Sequence, residues 1–223
     1  MITAVVISCR ENIDRCLRSL AFCDEVVVLK KEEPIKDFSK VRNEALKSAK
    51  NEWVLFVDDD EEVSDELENE ILKYVQDDKI DGYFIPRKDF FFGKRLMFGE
   101  TGNIKLLRLG RKNAGRWQRK VFEVWKIRGV GKVGEMREEL RHYPHPTIFD
   151  FIKSVNFYSD IDAREFAYFN YLEVFFKPVG KFGQNYFLKL GFLDGLAGFV
   201  FAFMMSFQSL VVRVKQYDFF ASS

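Results

Sequence analysis

Short apolar runs alternate with amphipathic stretches along the first half of the chain. The runs are rich in Val, Ile and aromatic residues, which is typical of buried strands; they cover residues 3–8, 25–29, 52–57 and 81–86. Between them, apolar residues recur at helical spacing over residues 12–22, 39–49 and 64–75, with Asn12 and Ser64 as N-caps. Strands separated by helices are joined by right-handed crossovers, so this pattern predicts an α/β fold with a mostly parallel sheet.

The pattern changes after residue 86. Residues 104–109 and 121–124 predict strands set among Gly, Arg and Lys. Residues 148–167 predict an aromatic-rich helix, and sixteen of the 25 Phe residues follow residue 148. We therefore expect an α/β domain at residues 1–147 and a C-terminal helical segment at residues 148–223.

A long apolar stretch covers residues 186–217. Its centre, residues 195–212, has no formal charge and is flanked by Lys181, Lys189, Arg213 and Lys215. Eighteen residues are at the lower edge of what crosses a bilayer. We expect a helix that lies in or dips into the cytoplasmic leaflet. The alternative is a hydrophobic helix that closes the protein's own core or a dimer interface.

Composition excludes some classes of function. The chain has 223 residues, with 35 Lys and Arg against 34 Asp and Glu, so its net charge is +1. Without a global basic field, electrostatically driven binding of nucleic acid is not expected. The three cysteines lie within the first 23 residues and have no second ligand cluster, so neither a disulfide framework nor a zinc site is indicated. A reducing, cytoplasmic setting fits best.

The strongest chemical signal is the acidic run Asp58-Asp59-Asp60-Glu61-Glu62 after the third predicted strand. Open α/β sheets bind ligands at the carboxyl ends of their strands, and carboxylates there can hold Mg²⁺ or Mn²⁺. In an extended segment Asp58 and Asp60 converge while Asp59 faces away. The alternative is a solvated acidic turn that favours the N-terminus of the next helix.

Other groups of residues accompany this run in a fixed order. A helix that contains Arg42-Asn43-Glu44-Ala45-Leu46 precedes it, and further groups come after it at residues 82–87, 105–109, 141–143 and 191–195. In this order they resemble the family 2 glycosyltransferases, which have the GT-A fold. The closer resemblance is to the lipopolysaccharide-core branch, often described as β-1,4-glucosyltransferases. It implies transfer of a sugar from a nucleotide-sugar donor, with inversion at the anomeric carbon.

The resemblance also implies roles for individual residues. Asp58 and Asp60 would bind a Mg²⁺ or Mn²⁺ ion and the donor diphosphate, and His142 would complete the metal shell or contact the diphosphate. Glu123 would be the general base that takes the proton of the acceptor hydroxyl. The donor would be bound by Glu11, Arg42, Asp58, Arg87 and Arg108. The alternatives are a surface Glu at position 123 and a packed His at position 142.

Two further expectations concern the surroundings of the site. A loop at residues 93–120 would exclude water from it, and Trp117 would either stack on a sugar ring or pack as a loop aromatic. The acceptor would be a saccharide or a lipid-linked molecule. The protein would act at the inner face of the cell membrane, peripheral to the membrane surface.

The sequence departs from the family pattern after the second predicted strand. There Lys30-Lys31-Glu32-Glu33 replaces an Asp-Ser-Gly-Ser-like turn that grips the donor. This departure leaves open a non-catalytic relative that binds a sugar nucleotide or a partner protein. A Mg²⁺-dependent phosphotransferase would require an Asp nucleophile after the first strand, where Ser8 and Cys9 stand instead.

Overall fold

The structure is a computed structural model that describes residues 1–30, 35, 37–119, 123–128, 132–145, 147–165 and 169–221. The chain forms two compact units. The first is Met1–Arg87 with Ile104–His142, and the second is Lys88–Asn103 with Tyr143–Ser223. This division differs from the predicted one at 147/148, because residues 88–103 belong with the C-terminal part of the chain.

The helices and strands have these bounds. The strands are β1 (Ile2–Ser8), β2 (Glu25–Lys30), β3 (Trp53–Asp58), β4 (Glu61–Val63), β5 (Gly82–Phe91), β6 (Lys94–Arg95), β7 (Ile104–Arg111), β8 (Gly115–Gln118), β9 (Val124–Ile127), β10 (Val133–Glu135) and β11 (Leu140–His142). The α-helices are α1 (Asp14–Arg18), α2 (Phe38–Ser48), α3 (Asp65–Tyr74), α4 (Ile148–Glu165), α5 (Tyr171–Gly183) and α6 (Gly195–Ala221). Of the segments discussed above, residues 31–33, 121–122 and 166–167 lie outside the described residues.

The main sheet is mixed rather than mostly parallel. Among the described residues the strand order is β2-β1-β3-β7-β5-β11-β4, with β6 and β10 paired to β5. β1 pairs in parallel with β2 and β3, whereas β7 is antiparallel to both β3 and β5. A parallel connection requires a crossover of a dozen or more residues, usually helical. Between β5 and β7 the chain forms only β6 and a 3₁₀ turn at Gly99–Thr101.

Both faces of the sheet are covered in the first unit. β1 is buried along its whole length, and its successive side chains enter opposite layers. Ala4 and Val6 pack with apolar residues of α1 and α3. Val5 and Ile7 pack with α2 and with the tryptophans of β8 and β9. This explains why the predicted strands are continuous apolar runs; β2, predicted to be buried, is a half-buried strand at the sheet edge.

Local signals set the helix starts. Ser64 caps α3 as predicted, because its Oγ accepts a hydrogen bond from Leu67 N–H at 3.2 Å. Asp37 caps α2 in the same way through Lys40 N–H. The helix predicted at residues 12–22 is shorter, and its N-cap is Ile13 rather than the predicted Asn12. Asn12 Oδ1 accepts a hydrogen bond from Asp14 N–H just before this helix.

Residues 93–120 do not form the predicted loop. They contain β6, β7 and β8, and β7 is an inner strand of the sheet. The Gly, Arg and Lys residues that suggested a loop lie partly on strands; Gly110 approaches the Trp125 ring, where a Cβ would be 3.0 Å from a ring carbon. The expectation that a loop at 93–120 excludes water therefore has no structural basis.

The second unit is helical. Its apolar core combines Phe91 and Leu96 with residues of α4 and α6. α5 and α6 pack as an antiparallel hairpin: Ser206 Oγ donates to Pro178 O at 2.7 Å, and the rings of Phe182 and Phe199 are in contact. Among the described residues, one helical stretch, Gly191–Ala221, is long and apolar enough to cross a membrane by length and composition.

Candidate active site

The acidic run lies where β3 ends, at the carboxyl ends of the parallel strands β1 and β3. Asp58 is the last residue of β3 and is paired with Ile7 of β1. The chain turns at Asp59 and Asp60 and continues as β4 from Glu61. This is the edge at which open α/β sheets bind ligands, as the sequence predicted.

Asp58 bridges two buried arginines. Arg42 Nη2 donates to Asp58 Oδ1 at 2.6 Å, and Arg108 Nη2 donates to Asp58 Oδ2. Burial would raise the pKa of the Asp58 carboxyl, but the Arg108 and Arg42 guanidiniums hold it well below its usual range. Burial likewise opposes the charge of Arg108, yet Asp58 and Glu61 keep its pKa above the ordinary value. Asp58 is therefore an ionised link between two cations.

Glu61 extends this network into the interior. Its Oε2 accepts from Asp58 N–H at 2.9 Å, and its Oε1 lies 3.5 Å from Arg108 Nη2 and 3.9 Å from Arg87 Nη1. Burial raises the pKa of the Glu61 carboxyl against the opposing effect of Arg108. Since Glu61 is 1% exposed, it can orient the two arginines but cannot meet a ligand directly.

The pairing of β4 with β11 brings His142 to the acidic run. In this antiparallel pair His142 stands opposite Glu61. His142 Nε2 lies 3.5 Å from Asp60 Oδ1, and Asp60 Oδ2 accepts from Arg10 Nη2 at 2.9 Å. Burial would raise the pKa of the Asp60 carboxyl, but His142 and Arg10 lower it below the ordinary value. Asp60 is thus an anion with an imidazole beside one of its two oxygens.

Asp59 does not face away from its neighbours as predicted. Ser8 Oγ donates to Asp59 Oδ2 at 2.7 Å, and Arg10 Nε lies 3.4 Å from Asp59 Oδ1. Asp59 and Asp60 therefore share Arg10, while Asp58 pairs with two other arginines. The alternation that predicted convergence of Asp58 and Asp60 holds only within a strand, and β3 ends at Asp58.

Glu123 is joined to the same network. Arg42 Nε donates to Glu123 Oε1 at 2.7 Å, so Arg42 links this carboxylate to Asp58. The Arg42 guanidinium also lies 4.8 Å from the Trp117 ring centre. The Asn43 side chain fixes Trp117 by accepting from its N–H at 3.0 Å and donating to its carbonyl at 2.9 Å. Trp117 is 4% exposed, so it packs under Arg42 and does not offer a face to a sugar.

The predicted site residues thus fall into two groups. Arg42, Asp58, Arg87, Arg108 and Glu123 are connected through the ion-pair network, and Asp60 and His142 form a neighbouring pair. Glu11 takes part in neither group: it is exposed in the bend between β1 and α1.

Sequence reasoning assigns no role of their own to two residues of this region: Arg10, and Glu61, which it names only as part of the acidic run. Both could have been found from one feature of the sequence, since each is a charged residue that follows closely after a predicted strand. Because β1 and β3 are adjacent and parallel, the residues just beyond their carboxyl ends lie side by side. Arg10 and the acidic run come together for that reason.

Asp60 and His142 fit a divalent cation, whereas Asp58 does not. Both oxygens of Asp58 face guanidiniums. Asp60 Oδ1 and His142 Nε2 are 3.5 Å apart; the carboxylate oxygen is the ligand type that Mg²⁺ and Mn²⁺ prefer, and the imidazole nitrogen would be a secondary ligand. In the described part of the chain no three His, Cys, Asp or Glu side chains are grouped to hold a metal. Further ligands would come from phosphate and water, as is usual for Mg²⁺.

The ionised state of Asp58 predicts a pH dependence of stability. Because the folded-state pKa of Asp58 lies below the unfolded value of about 3.9, its contribution is present above about pH 4 and is lost as the pH falls. We expect the difference in free energy of unfolding between the wild type and Asp58→Asn to shrink below about pH 4. Urea unfolding at a series of pH values measures this. Asp78→Asn, whose side chain is 97% exposed, is the control; a wild-type-to-Asp58→Asn difference independent of pH would contradict the prediction.

Comparison with known families gives one match. The family model described as Glycosyl transferase family 2 matches residues 8–126, more than half of the chain. The matched range includes Arg42, Asp58, Asp60, Arg108 and Glu123. His142 lies beyond it.

Several solved structures are similar to this chain. S. aureus TarS 1-349 in complex with UDP has a TM-score of 0.47 at 14% identity, covering 100% of this chain and 92% of that one. The complex of TarS 1-349 with UDP-GlcNAc has a TM-score of 0.45 at 14% identity, covering 73% and 64%. A further S. aureus TarS structure has a TM-score of 0.42 at 15% identity, covering 72% and 39%. The chain thus spans well under two thirds of the longest TarS structure.

Proposed function

This chain belongs to glycosyl transferase family 2, and from that premise we propose that it moves a sugar from a nucleotide-sugar donor to a hydroxyl of a saccharide or lipid-linked acceptor, with inversion at the anomeric carbon. The family assignment confirms the predicted membership of family 2, and it supports the GT-A type fold and the glycosyltransferase activity predicted from sequence. The lipopolysaccharide-core, β-1,4-glucosyltransferase branch stays a prediction. The observation that carries the proposal is the charged network at the end of β3, whose members Arg42, Asp58, Arg108 and Glu123 all lie within the matched residues.

Arg42 is the residue best prepared to meet the donor. Its Nε and Nη2 are bound to Glu123 and Asp58. Its Nη1 is buried and has no hydrogen-bond partner among the described residues. An unpaired buried N–H is costly. Because Arg42 is 2% exposed, a donor oxygen would reach Nη1 only when the side chains around it open, and the contact would then satisfy this group. Arg108, held by Asp58 and Glu61, and Arg87, near Glu61, add positive charge to the network.

Asp60 and His142 would hold the Mg²⁺ or Mn²⁺ ion through Oδ1 and Nε2. When bound there, the ion would neutralise charge on the leaving diphosphate. Arg10 contacts the other oxygen of Asp60, so it keeps this carboxylate ionised and oriented.

Glu123 is proposed as the general base. Because Arg42 holds its Oε1, the second oxygen, Oε2, is the atom that we assign to the acceptor hydroxyl. The acceptor oxygen forms a bond to the anomeric carbon as the bond from that carbon to the diphosphate oxygen breaks. The hydroxyl proton passes to Glu123 Oε2, and the nucleoside diphosphate leaves with the bonding electrons. Arg42 thus couples the residue that accepts the proton to the residues that face the donor.

We place the reaction at the inner face of the cell membrane. The most apolar window of the Gly191–Ala221 stretch has a mean hydropathy of 1.8 and is 28% buried. A core helix would be mostly buried, so this degree of exposure supports a membrane surface as partner and a lipid-linked acceptor as one class of substrate.

A nucleotide screen tests the proposal. We expect Mn²⁺ together with one of the uridine, guanosine, adenosine or cytidine diphosphates to raise the melting temperature, since a ligand that binds only the folded state stabilises it. Asp60→Ala and His142→Ala should each remove the Mn²⁺-dependent part of this rise. Asp78→Ala should retain it. If no nucleotide raises the melting temperature, or if both variants keep the Mn²⁺ effect, the donor-site assignment fails.

A further inference from the structure

Helix α5 presents an apolar face to solvent. Its outward residues Tyr171, Leu172, Phe175, Phe176 and Val179 are each 64–71% exposed. The inward face is where Pro178 packs against α6 through Ser206. A surface helix of a soluble protein normally has the opposite arrangement, with its apolar stripe toward the core.

The connection between α5 and α6 continues this exposure. Large apolar side chains here are 43–81% exposed; they are Phe187, Leu188, Leu190, Phe192, Leu193 and, at the start of α6, Leu196. Leu190 has a φ of 59°, a left-handed conformation that bulky residues rarely adopt. Glycine or asparagine would be less strained at this position.

Together these residues define the hairpin surface, meaning the outward residues of α5 and the exposed residues of the connection through Leu196. Contiguous apolar patches of this kind are rare on soluble monomers unless something covers them. Lysines lie among the apolar residues: the Lys177 side chain is 53% exposed, with its Nζ 3.9 Å from Glu173 Oε1 one turn earlier, and Lys189 is exposed between Leu188 and Leu190. The surface is therefore apolar and basic together.

The lengths of the two helices decide how such a surface meets lipid. α5 has 13 residues and is about 20 Å long, shorter than a hydrocarbon core of about 30 Å. Since α5 and α6 pack side by side, the hairpin cannot cross a bilayer twice. Beyond Val212, α6 carries polar anchors, including Lys215, which binds Asp160 of α4 at 2.6 Å. This arrangement suits a hairpin that lies within one leaflet.

We propose that the hairpin surface docks on an anionic lipid bilayer, with its aromatic and leucine side chains in the interface and Lys177 and Lys189 at the headgroups. A second copy of the chain is the competing occupant. In a two-fold symmetric contact the same patch meets itself, which would bring these lysines toward their own copies. An anionic headgroup layer complements them instead. The proposal rests on the membrane placement in the proposed function and deepens it, but it does not depend on the catalytic assignment, since it concerns residues outside the active site.

Flotation of the full-length protein tests the proposal with vesicles of phosphatidylcholine alone or mixed with phosphatidylglycerol. We expect the wild type to float with the mixed vesicles. The double variant Phe175→Ser, Phe176→Ser should bind at least about tenfold more weakly, since each phenylalanine loses its burial in lipid. Leu188→Ser should weaken binding in the same direction. Leu72→Ser, a partly exposed position on α3, is the matched control and should float like the wild type.

A double Lys177→Gln, Lys189→Gln variant separates the charge from the apolar contribution. We expect it to lose most of the preference for phosphatidylglycerol, since each lysine near an anionic surface is worth about 1 kcal/mol, a several-fold change in binding. Light scattering of the wild type without lipid tests the competing occupant, because it shows whether the protein is a monomer or a dimer. A wild type that ignores both kinds of vesicle, or one that dimerises through Phe175 and Phe176 and does not float, would overturn the proposal.

Discussion

Replacing Glu123 with glutamine is expected to slow sugar transfer by about 10²–10⁴-fold, the usual contribution of a general base. Glutamine keeps the size of the side chain and can still accept the hydrogen bond from Arg42 Nε through its carbonyl oxygen. It cannot take the acceptor proton. Binding of Mn²⁺ and nucleoside diphosphate should be retained, because Glu123 is not among the residues that fit the metal. Transfer is measured with the donor whose nucleotide emerges from the melting-temperature screen.

The control is Glu135→Gln, at an exposed position on β10, which should transfer sugar at the wild-type rate. If Glu123→Gln stays within a few-fold of the wild type, another carboxylate takes the proton. A parallel loss of nucleotide binding would instead show that Glu123 acts through the position of Arg42, because Arg42 is its partner in the network.

Replacing Arg108 with methionine is expected to destabilise the fold by about 3–5 kcal/mol. Methionine fills much of the space but leaves Asp58 and Glu61 without a shared cation. Glu61 is 1% exposed, so solvent cannot compensate for its loss of Arg108, whereas the Asp58 side chain is 29% exposed and keeps Arg42 as a partner. Urea unfolding measures the loss, which should appear as a lower midpoint with an unchanged slope.

Lys105→Met on the same strand provides the comparison. Lys105 pairs with Glu135, and both side chains are about half exposed. Exposed ion pairs contribute about 0–1 kcal/mol, so this variant should unfold close to the wild type. If Arg108→Met and Lys105→Met lower the free energy of unfolding equally, burial does not make the Arg108 ion pairs more stabilising than exposed ones, contrary to our inference.

The strands that were predicted correctly from sequence share one property: their burial is visible in the local pattern of apolar residues. β1 and β3 are covered on both faces and read as unbroken apolar runs. α3 begins at a Ser that caps it. β10 and β11 are three residues long and have no readable period, since their place is set by pairing with β5 and β4. Local sequence patterns also could not predict the direction of the strands. The antiparallel pairing of β7 with β3 and β5 depends on contacts between residues that are distant in sequence.

In the candidate site, too, local sequence predicted some features, whereas contacts between distant residues determined others. Strand-end geometry placed the acidic run correctly, because a carboxyl edge is fixed by the order of strand and helix. The partner of each carboxylate could not be read from spacing. Asp58 pairs with Arg42 from α2 and Arg108 from β7, which lie 16 and 50 residues away. The prediction that Asp58 and Asp60 converge assumed an extended strand through Asp60. It was wrong because β3 ends at Asp58 and the chain then turns to begin β4.

The second unit consists of two segments that are separated in the sequence by part of the first unit, so its two segments are synthesised at different times. Residues 88–103 leave the ribosome first, then residues 104–142 of the other unit, and only then residues 143–223. Phe91 and Leu96 therefore remain exposed to water until Phe151, Val155 and α6 have been made, because those are the residues that bury them. The nascent chain carries an unfinished apolar surface through nearly half of its translation.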